Sequence, residues 1–419
     1  MKLKLHWQIF IAMGAAYLFQ RSLGGASAFV EPLGFLFIQA LKMVVLPLVF
    51  FSVVLGVAGV GPGARLGKLA GKTVGYYLTT SFLAIVTGLI LVNLIQPGAE
   101  ARLAHGMAFD PATLERPDSA FDLLARMVPP NPVAAAVDGD MLGFIVFCVF
   151  FGVGLASLPT AKSGRILPLF QAGSDAVMKI THGIILTAPL GVFGLIVAML
   201  NQDMGAAWHR AVGWYMFTIA VGLTFHFLVM LPALYVLLAR RNPWQLYKGM
   251  APALATVFAT SSSMATLPVT MECVERNMGV PNRVAGFVLP LGATVNMDGT
   301  ALFECVGVLF IAQVLGAPLG WEQQMVVMLT ALLASVGAAA VPSSGLVMIF
   351  IVLEAVGLQG KEVPLIVGTM LAVDRPLDMM RGLVNIFSDA VGAVAIARSE
   401  GVLNRRGNQR RAAAPGAGA

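Results

Sequence analysis

Charge is what this chain has least of. Asp, Glu, Lys and Arg make up only 11% of its 419 residues, hydrophobic residues make up 58%, and mean hydropathy is +0.83. Soluble domains carry roughly 25% charged residues, so a water-soluble globule is excluded. Paired cysteines are also lacking. Cys148, Cys273 and Cys305 are odd in number and sit in apolar segments, which excludes a disulfide framework and a thiolate metal site; they read as buried small hydrophobes. No nucleophile–base set stands out, so an enzyme is a poor fit and no cofactor is expected. The net charge of +6 is explained by membrane orientation rather than by nucleic acid. Several apolar runs instead exceed the roughly 20 residues of a spanning helix. One polytopic membrane domain over residues 1–400, followed by a disordered basic tail at 401–419, fits the composition. The opening MKLKLHWQIF run has a basic start but no small-residue cleavage site before Arg21, so it reads as the first span rather than a cleaved signal.

Apolar segments fall at about 6–20, 28–61, 73–95, 141–158, 166–200, 211–239, 284–315 and 364–397. Two further stretches, 245–275 and 323–357, differ. Each has serines near its middle: Ser261, Ser262 and Ser263 in the first, Ser343 and Ser344 after Pro342 in the second. Spanning helices rarely concentrate such residues there. Half-helices meeting at a polar tip fit better, because the tip's free backbone groups then face ligand or water; kinked spanning helices are the competing reading. A hairpin followed by a helix with buried polar residues occurs twice, as in inverted-repeat transporters. Loop charges agree. Lys2 and Lys4, then Arg65, Lys68 and Lys72, then Lys162 and Arg165, then Arg240, Arg241 and Lys248, and finally the arginine-rich tail all fall on one side of an eight-span arrangement. The acidic 96–140 loop falls on the other. By the positive-inside rule both termini are cytoplasmic, provided each serine hairpin enters and leaves on the same side.

The chemistry concentrates in residues 371–397. Asp374, Asp378, Arg381, Asn385 and Asp389 are spaced 4, 3, 4 and 4 apart, within roughly 80° of one helix face. Ionised groups at bilayer depth cost at least about 2.5–3.5 kcal/mol each, so this face must look onto protein, water, ions or substrate. In the seventh span, Asn296, Met297, Asp298 and Gly299 interrupt an apolar helix; an unwound turn there would expose carbonyl oxygens beside a carboxylate, the ligands hard cations prefer. Asn385 with Asp389, and Tyr77 with Thr80 and Ser81, form further oxygen clusters. Each alone also reads as an interhelical hydrogen bond. Glu304 is a lone carboxyl. Burial penalises its charged form, making it either a proton carrier or a protonated structural group. Arg381 offers a fork matched to a carboxylate, and Asp378 a partner for an ammonium; an internal Asp378–Arg381 pair is the alternative. Asp175, Lys179, His182 and His226 read as snorkelling or hydrogen-bonded groups.

At these residues the chain resembles the glutamate transporter family, the dicarboxylate/amino acid:cation symporters. The resemblance covers about residues 6–400. It rests on SSSMATLPVT at 261–270, LPLGATVNMDGTAL at 289–302, ASVGAAAVPSSG at 334–345 and DRPLDMMRGLVNIFSD at 374–389. It implies an all-α integral membrane protein of eight transmembrane helices plus two re-entrant hairpins, built from inverted repeats. It also implies a homotrimer of elevator-type protomers, each with a scaffold (about 6–61 and 141–200) and a mobile transport part (about 73–95 and 211–397). Carried over by position, Asn296, Asn385, Asp389 and the Gly292 carbonyl match one sodium site. Tyr77, Thr80, Ser81, Asn296 and Asp298 match a second, and Thr294, Met297, Ser335, Val336 and Ala338 a third. Arg381 matches the arginine that selects acidic side chains, and Asp378 the aspartate that holds the amino group. Ser263, Thr300, Val341 and Asn385 line the matching pocket. Glu304 resembles a protonatable glutamate, also associated there with potassium counter-transport.

The departures are Gly382 where the family's amino acid transporters usually have Thr, Ala338 for a gate Thr, Ala340 for a gate Gly, and Met264 within the serine run. The dicarboxylate branch also lacks the Thr, but it lacks the aspartate that aligns with Asp378 as well. The expected function is therefore a secondary active symporter importing glutamate or aspartate with sodium and a proton. Proton-driven uptake of the same substrates, or of C4-dicarboxylates without sodium, is the alternative. The expected location is the inner (plasma) membrane of a prokaryote. An ion channel would need a continuous polar path, which the sequence does not offer.

Overall fold

The computed structural model describes residues 5–23, 29–58, 64–101, 125, 127–138, 140–200, 205–337, 344–358, 360 and 362–403. The regular elements described are helical. They begin with α1 (Leu5–Leu23), α2 (Glu31–Ala58), α3 (Ala64–Ile95) and the short α4 (Pro132–Asp138), followed by α5 (Met141–Ala156), α6 (Thr160–Leu186) and α7 (Ala188–Leu200). Next, α8 (Gly205–Phe225) continues through a π turn at His226–Met230 into α9 (Leu231–Ala239). Then come α10 (Pro243–Thr260) and α11 (Ser263–Glu272), with a second π turn at Cys273–Asn277. The chain ends with α12 (Asn282–Val295), α13 (Asp298–Val314), α14 (Trp321–Gly337), α15 (Ser344–Ala355) and α16 (Val363–Ser399).

Among the described residues, five helical stretches are long and apolar enough to cross a bilayer: Glu31–Ala58, Lys68–Ile95, Ala207–Ala239, Asn282–Val314 and Val363–Ser399. The pair α6–α7, bent by 51°, makes a sixth. The other two segments expected to span are α1 and α5. Polar Gln8, Gln20 and Arg21 dilute α1. The 16 residues of α5 reach only about 24 Å of a roughly 30 Å core. Length and hydropathy therefore do not by themselves deliver eight crossings. Burial sorts the spans. The apolar window of Asn282–Val314 is 100% buried and that of Val363–Ser399 83%, against 33–44% for the other three. The helices carrying the polar motifs thus form the core, and the more apolar ones coat them.

The first serine cluster is the tip of a hairpin. Ser261 closes α10 in the left-handed region (φ 52°), and Ser262 caps α11 by accepting from the Ala265 N–H. The arms run antiparallel, because their far ends meet: Asn277 Nδ2 donates to the Gly249 carbonyl and Arg241 Nη1 to the Met278 carbonyl, both at 2.8 Å. The chain leaves on the side it entered, as a re-entrant hairpin must. In the second hairpin α14 and α15 pack together. The 12 residues of α15 cover about 18 Å, too short to span. Its tip, with Ala338, Ala340, Val341, Pro342 and Ser343, lies outside the described residues, as does most of the tail.

Helices α1, α2 and α5–α7 pack around α2, while α3 and α8–α16 gather on α13 and α16. The first group is held closely: a Cβ on Gly194 of α7 would come within 2.5 Å of the Gly34 nitrogen of α2. Where α2 and α6 face α12 and the hairpin tip, a cavity of about 990 Å³ opens, lined by Ser52, Gly56, Pro168, Met264, Phe287 and Leu291 among others. Lys42 of α2 reaches across to the Phe350 ring of α15, 5.2 Å from its centroid.

Candidate functional site: a buried ion and substrate centre

The break between α12 and α13 is real and is held by tertiary bonds. Asn296 and Met297 leave helical geometry (φ/ψ −106°/86° and −118°/63°). The first turn of a helix leaves N–H groups without internal partners; here Gly299 N donates to Asn385 Oδ1 of α16 at 2.8 Å. The approach needs glycine, because a Cβ at Gly299 would come within 3.0 Å of the Arg381 backbone. Around the break lies a polar network. Asn296 Nδ2 donates to Asp389 Oδ1 (2.9 Å) and Ser388 Oγ (3.0 Å), while Thr80 Oγ1 donates to Asn296 Oδ1 (3.2 Å). Ser81 Oγ donates to Asp298 Oδ1 at 2.7 Å. Gly292 lets two groups in: a Cβ there would stand 2.3 Å from Asp389 Oδ1 and 2.6 Å from the Tyr77 hydroxyl.

Asp298, Asp389 and Glu304 are all buried, and among the described residues no Lys or Arg forms an ion pair with any of them. Buried carboxylates without a protein counter-ion are tolerated when a bound cation or a proton supplies the charge. The donor set of carboxylate, amide, hydroxyl and unwound-backbone oxygens suits a hard cation. Both Glu304 oxygens have no hydrogen-bond partner among the described residues.

On α16 the polar stripe is intact and buried. Arg381 Nη2 donates to Asp374 Oδ1 (2.9 Å) and Asp378 Oδ1 (2.8 Å). Arg375 Nη1 lies 3.5 Å from the other Asp378 oxygen. The guanidinium stacks on Phe303, with Cζ 4.0 Å from the ring centroid, a cation–π contact strengthened by exclusion of water. The guanidinium is only partly engaged: Nε and Nη1 have no partner among the described residues. Nη1 points at Gly345, where a Cβ would come within 2.5 Å.

The expected residues are not all equally assembled. Asn296, Asn385, Asp389, Asp298, Thr80, Ser81 and Gly292 meet in one network. Tyr77 joins it by position, though its hydroxyl donates to the Val288 carbonyl at 2.7 Å. Ser263 and Thr300 are buried, and Thr300 Oγ1 lies 3.9 Å from the Met297 sulfur. Thr294 and Ser335 turn their hydroxyls to the Leu291 and Leu332 carbonyls of their own helices. Val336 can offer a cation only its backbone oxygen. Ala338 and Val341 lie outside the described residues. His226 reads from the sequence as a snorkelling or hydrogen-bonded group, and the second holds. The structure places it at 0% exposure, with Nε2 3.3 Å from Asp298 Oδ2. Ser388 and Phe303 also belong to the centre. Phe303, adjacent to Glu304, has no polar signal by which to find it.

The sodium:dicarboxylate symporter family profile matches residues 5–399. The chain belongs to the sodium:dicarboxylate symporter family. It is 37% identical over 404 residues to an excitatory amino acid transporter of Caenorhabditis elegans, covering 86% of this chain and 79% of the relative. It is equally similar, 37% over 413 residues, to human excitatory amino acid transporter 3 (86% and 77%). To the human neutral amino acid transporter B(0) it is 37% identical over 402 residues (88% and 73%). This family member is a multi-pass transporter of the sodium-coupled symporter kind, not an enzyme.

Proposed function

We propose that the protein imports glutamate or aspartate together with sodium, and that a proton travels with them on Glu304. The half-committed guanidinium of Arg381 carries the acidic specificity. Its Nη2 is held by Asp374 and Asp378, while Nε and Nη1 are buried with no partner among the described residues. A substrate side-chain carboxylate supplies an acceptor for the unpartnered Nη1, and Asp378 receives the ammonium. An arginine so placed argues against the neutral substrates named for the B(0) relative.

Sodium binds Asn296, Asn385, Asp389 and the Gly292 carbonyl in one site, and Tyr77, Thr80, Ser81, Asn296 and Asp298 in another. Support comes from the described residues, among which no Lys or Arg forms an ion pair with Asp298 or Asp389. The third site, at Thr294, Met297, Ser335, Val336 and Ala338, rests on the family resemblance alone. Helices α3 and α8–α16 move as an elevator against α1, α2 and α5–α7 within a homotrimer; the cavity along their seam favours this division. Both termini lie in the cytoplasm, the side on which the basic loops fall, and the membrane is the inner (plasma) membrane of a prokaryote.

The test is uptake of radiolabelled glutamate and aspartate into proteoliposomes with sodium and pH gradients imposed separately. Uptake that requires external sodium is the expected result. Uptake driven by a pH gradient without sodium would assign the coupling to Glu304 alone. A second reading, C4-dicarboxylate transport, is favoured by Arg375 and Arg381 already occupying both Asp378 oxygens, which contests the ammonium site. Succinate uptake without glutamate or aspartate uptake would establish it.

A further inference from the structure

The π turn in the α8–α9 span has a consequence for the ion centre. The helix is regular to Phe225 and then widens by one residue, so that the His226 carbonyl accepts from Leu231 N–H, five residues on. Such turns recur where a side chain must be re-aimed at a functional site. Here the re-aimed side chain is His226, fully buried, with Nε2 3.3 Å from Asp298 Oδ2. The other Asp298 oxygen accepts from Ser81 of α3 at 2.7 Å. One donor per oxygen, from two different helices, fixes the plane of the carboxylate. Nδ1 of His226 has no partner among the described residues. A proton on Nδ1 would be a buried N–H without an acceptor, which places the ring proton on Nε2, facing Asp298.

We infer that His226 is a positioning residue for the coupled-cation site: its Nε2–H holds the Asp298 carboxylate in the orientation that binds sodium. A neutral N–H suits this role, because a Lys or Arg in the same place would supply the very charge the cation must supply. The inference rests on the proposal that Asp298 binds sodium. Partners in the outer shell of a metal site typically contribute roughly 10–100-fold in affinity.

The experiment measures sodium dependence of radiolabelled glutamate and aspartate uptake in proteoliposomes for the wild type and for His226→Leu, His226→Gln and His226→Asn. The Gln amide nitrogen reaches the position of Nε2, whereas that of Asn reaches only Nδ1. His226→Leu and His226→Asn should raise the half-saturating sodium concentration roughly 10-fold. His226→Gln should restore it towards the wild-type value, and substrate half-saturation at saturating sodium should stay unchanged in all three. A wild-type sodium curve for His226→Leu, or equal shifts for Gln and Asn, would overturn the inference. If the Leu variant fails to fold, the Gln–Asn comparison decides alone. Asp298→Asn is the control that separates the two levels. If it keeps wild-type sodium dependence, the sodium-site proposal itself falls; if it loses that dependence while His226→Leu does not, only the role of His226 falls.

Discussion

Two residues of the centre are held in ways that make opposite demands on mutation. Arg381 is buried between two aspartates and a phenyl ring, so its removal deletes the proposed substrate partner and breaks its ion pairs to Asp374 and Asp378. Breaking a buried pair from one side costs about 3–5 kcal/mol. Arg381→Cys should therefore lower glutamate uptake by roughly two to three orders of magnitude and admit neutral amino acids; competition assays read both effects, and unchanged glutamate uptake would take Arg381 out of the site. Glu304 makes no hydrogen bond among the described residues, so Glu304→Gln breaks none of the described network. Its expected effect is on coupling alone: uptake should lose its dependence on an imposed pH gradient while the sodium curve stays in place. A variant with the wild-type pH profile would make Glu304 a structural carboxyl.

At the scale of elements, the ends of α3 and α16 are tied together. Lys72 donates to the Glu400 carboxylate and, at 3.1 Å, to Ser399 Oγ. The Lys72 hydrogen bond holds the Glu400 carboxyl below the usual glutamate value of 4.5. A lowered folded-state value means that the contribution to stability is complete above the unfolded value and is lost as pH falls through the folded one. The melting temperatures of wild type and Glu400→Gln should thus converge as pH drops below about 4.5; a gap that widens on acidification would contradict the pairing.

Much of the element pattern was legible beforehand. Serines at mid-segment marked a hairpin tip because they cap helices, as Ser262 does. The Asn-Met-Asp-Gly run marked the break because Gly299 admits the Arg381 backbone. The periodicity of the α16 stripe placed its five polar residues on one buried face. The π turns left no mark: HFLVM is an ordinary apolar stretch, and a single inserted residue changes register without changing composition. The contact of His226 with Asp298 is therefore not legible from its sequence neighbours alone. The destination of the Tyr77 hydroxyl was equally hidden, since a tyrosine's partner is set by tertiary approach.

Across the whole molecule, glycines let helices approach closely in both groups. Gly34 and Gly194 let the α2 and α7 backbones touch. Gly194→Val should force them apart and destabilise the protein by about 1–3 kcal/mol, the usual cost of overpacking; a drop in melting temperature with sodium half-saturation unchanged is the expected signature. The seam between the groups holds a cavity towards α12 and the Lys42 contact to Phe350 of α15.

The charge arrangement at the centre also has an electrical meaning. Arg375 and Arg381 pair with Asp374 and Asp378, but among the described residues no Lys or Arg pairs with Asp298 or Asp389. A bilayer voltage acts on each unbalanced charge with roughly 2.3 kcal/mol per 100 mV. With its cations discharged, a body carrying both ionised aspartates is driven towards the positive face, the outside of an energised cell. With cations aboard it is nearly indifferent to the field. In the elevator proposal the membrane potential therefore does its work on the empty return journey, and resetting rather than loading becomes the voltage-sensitive half of the cycle.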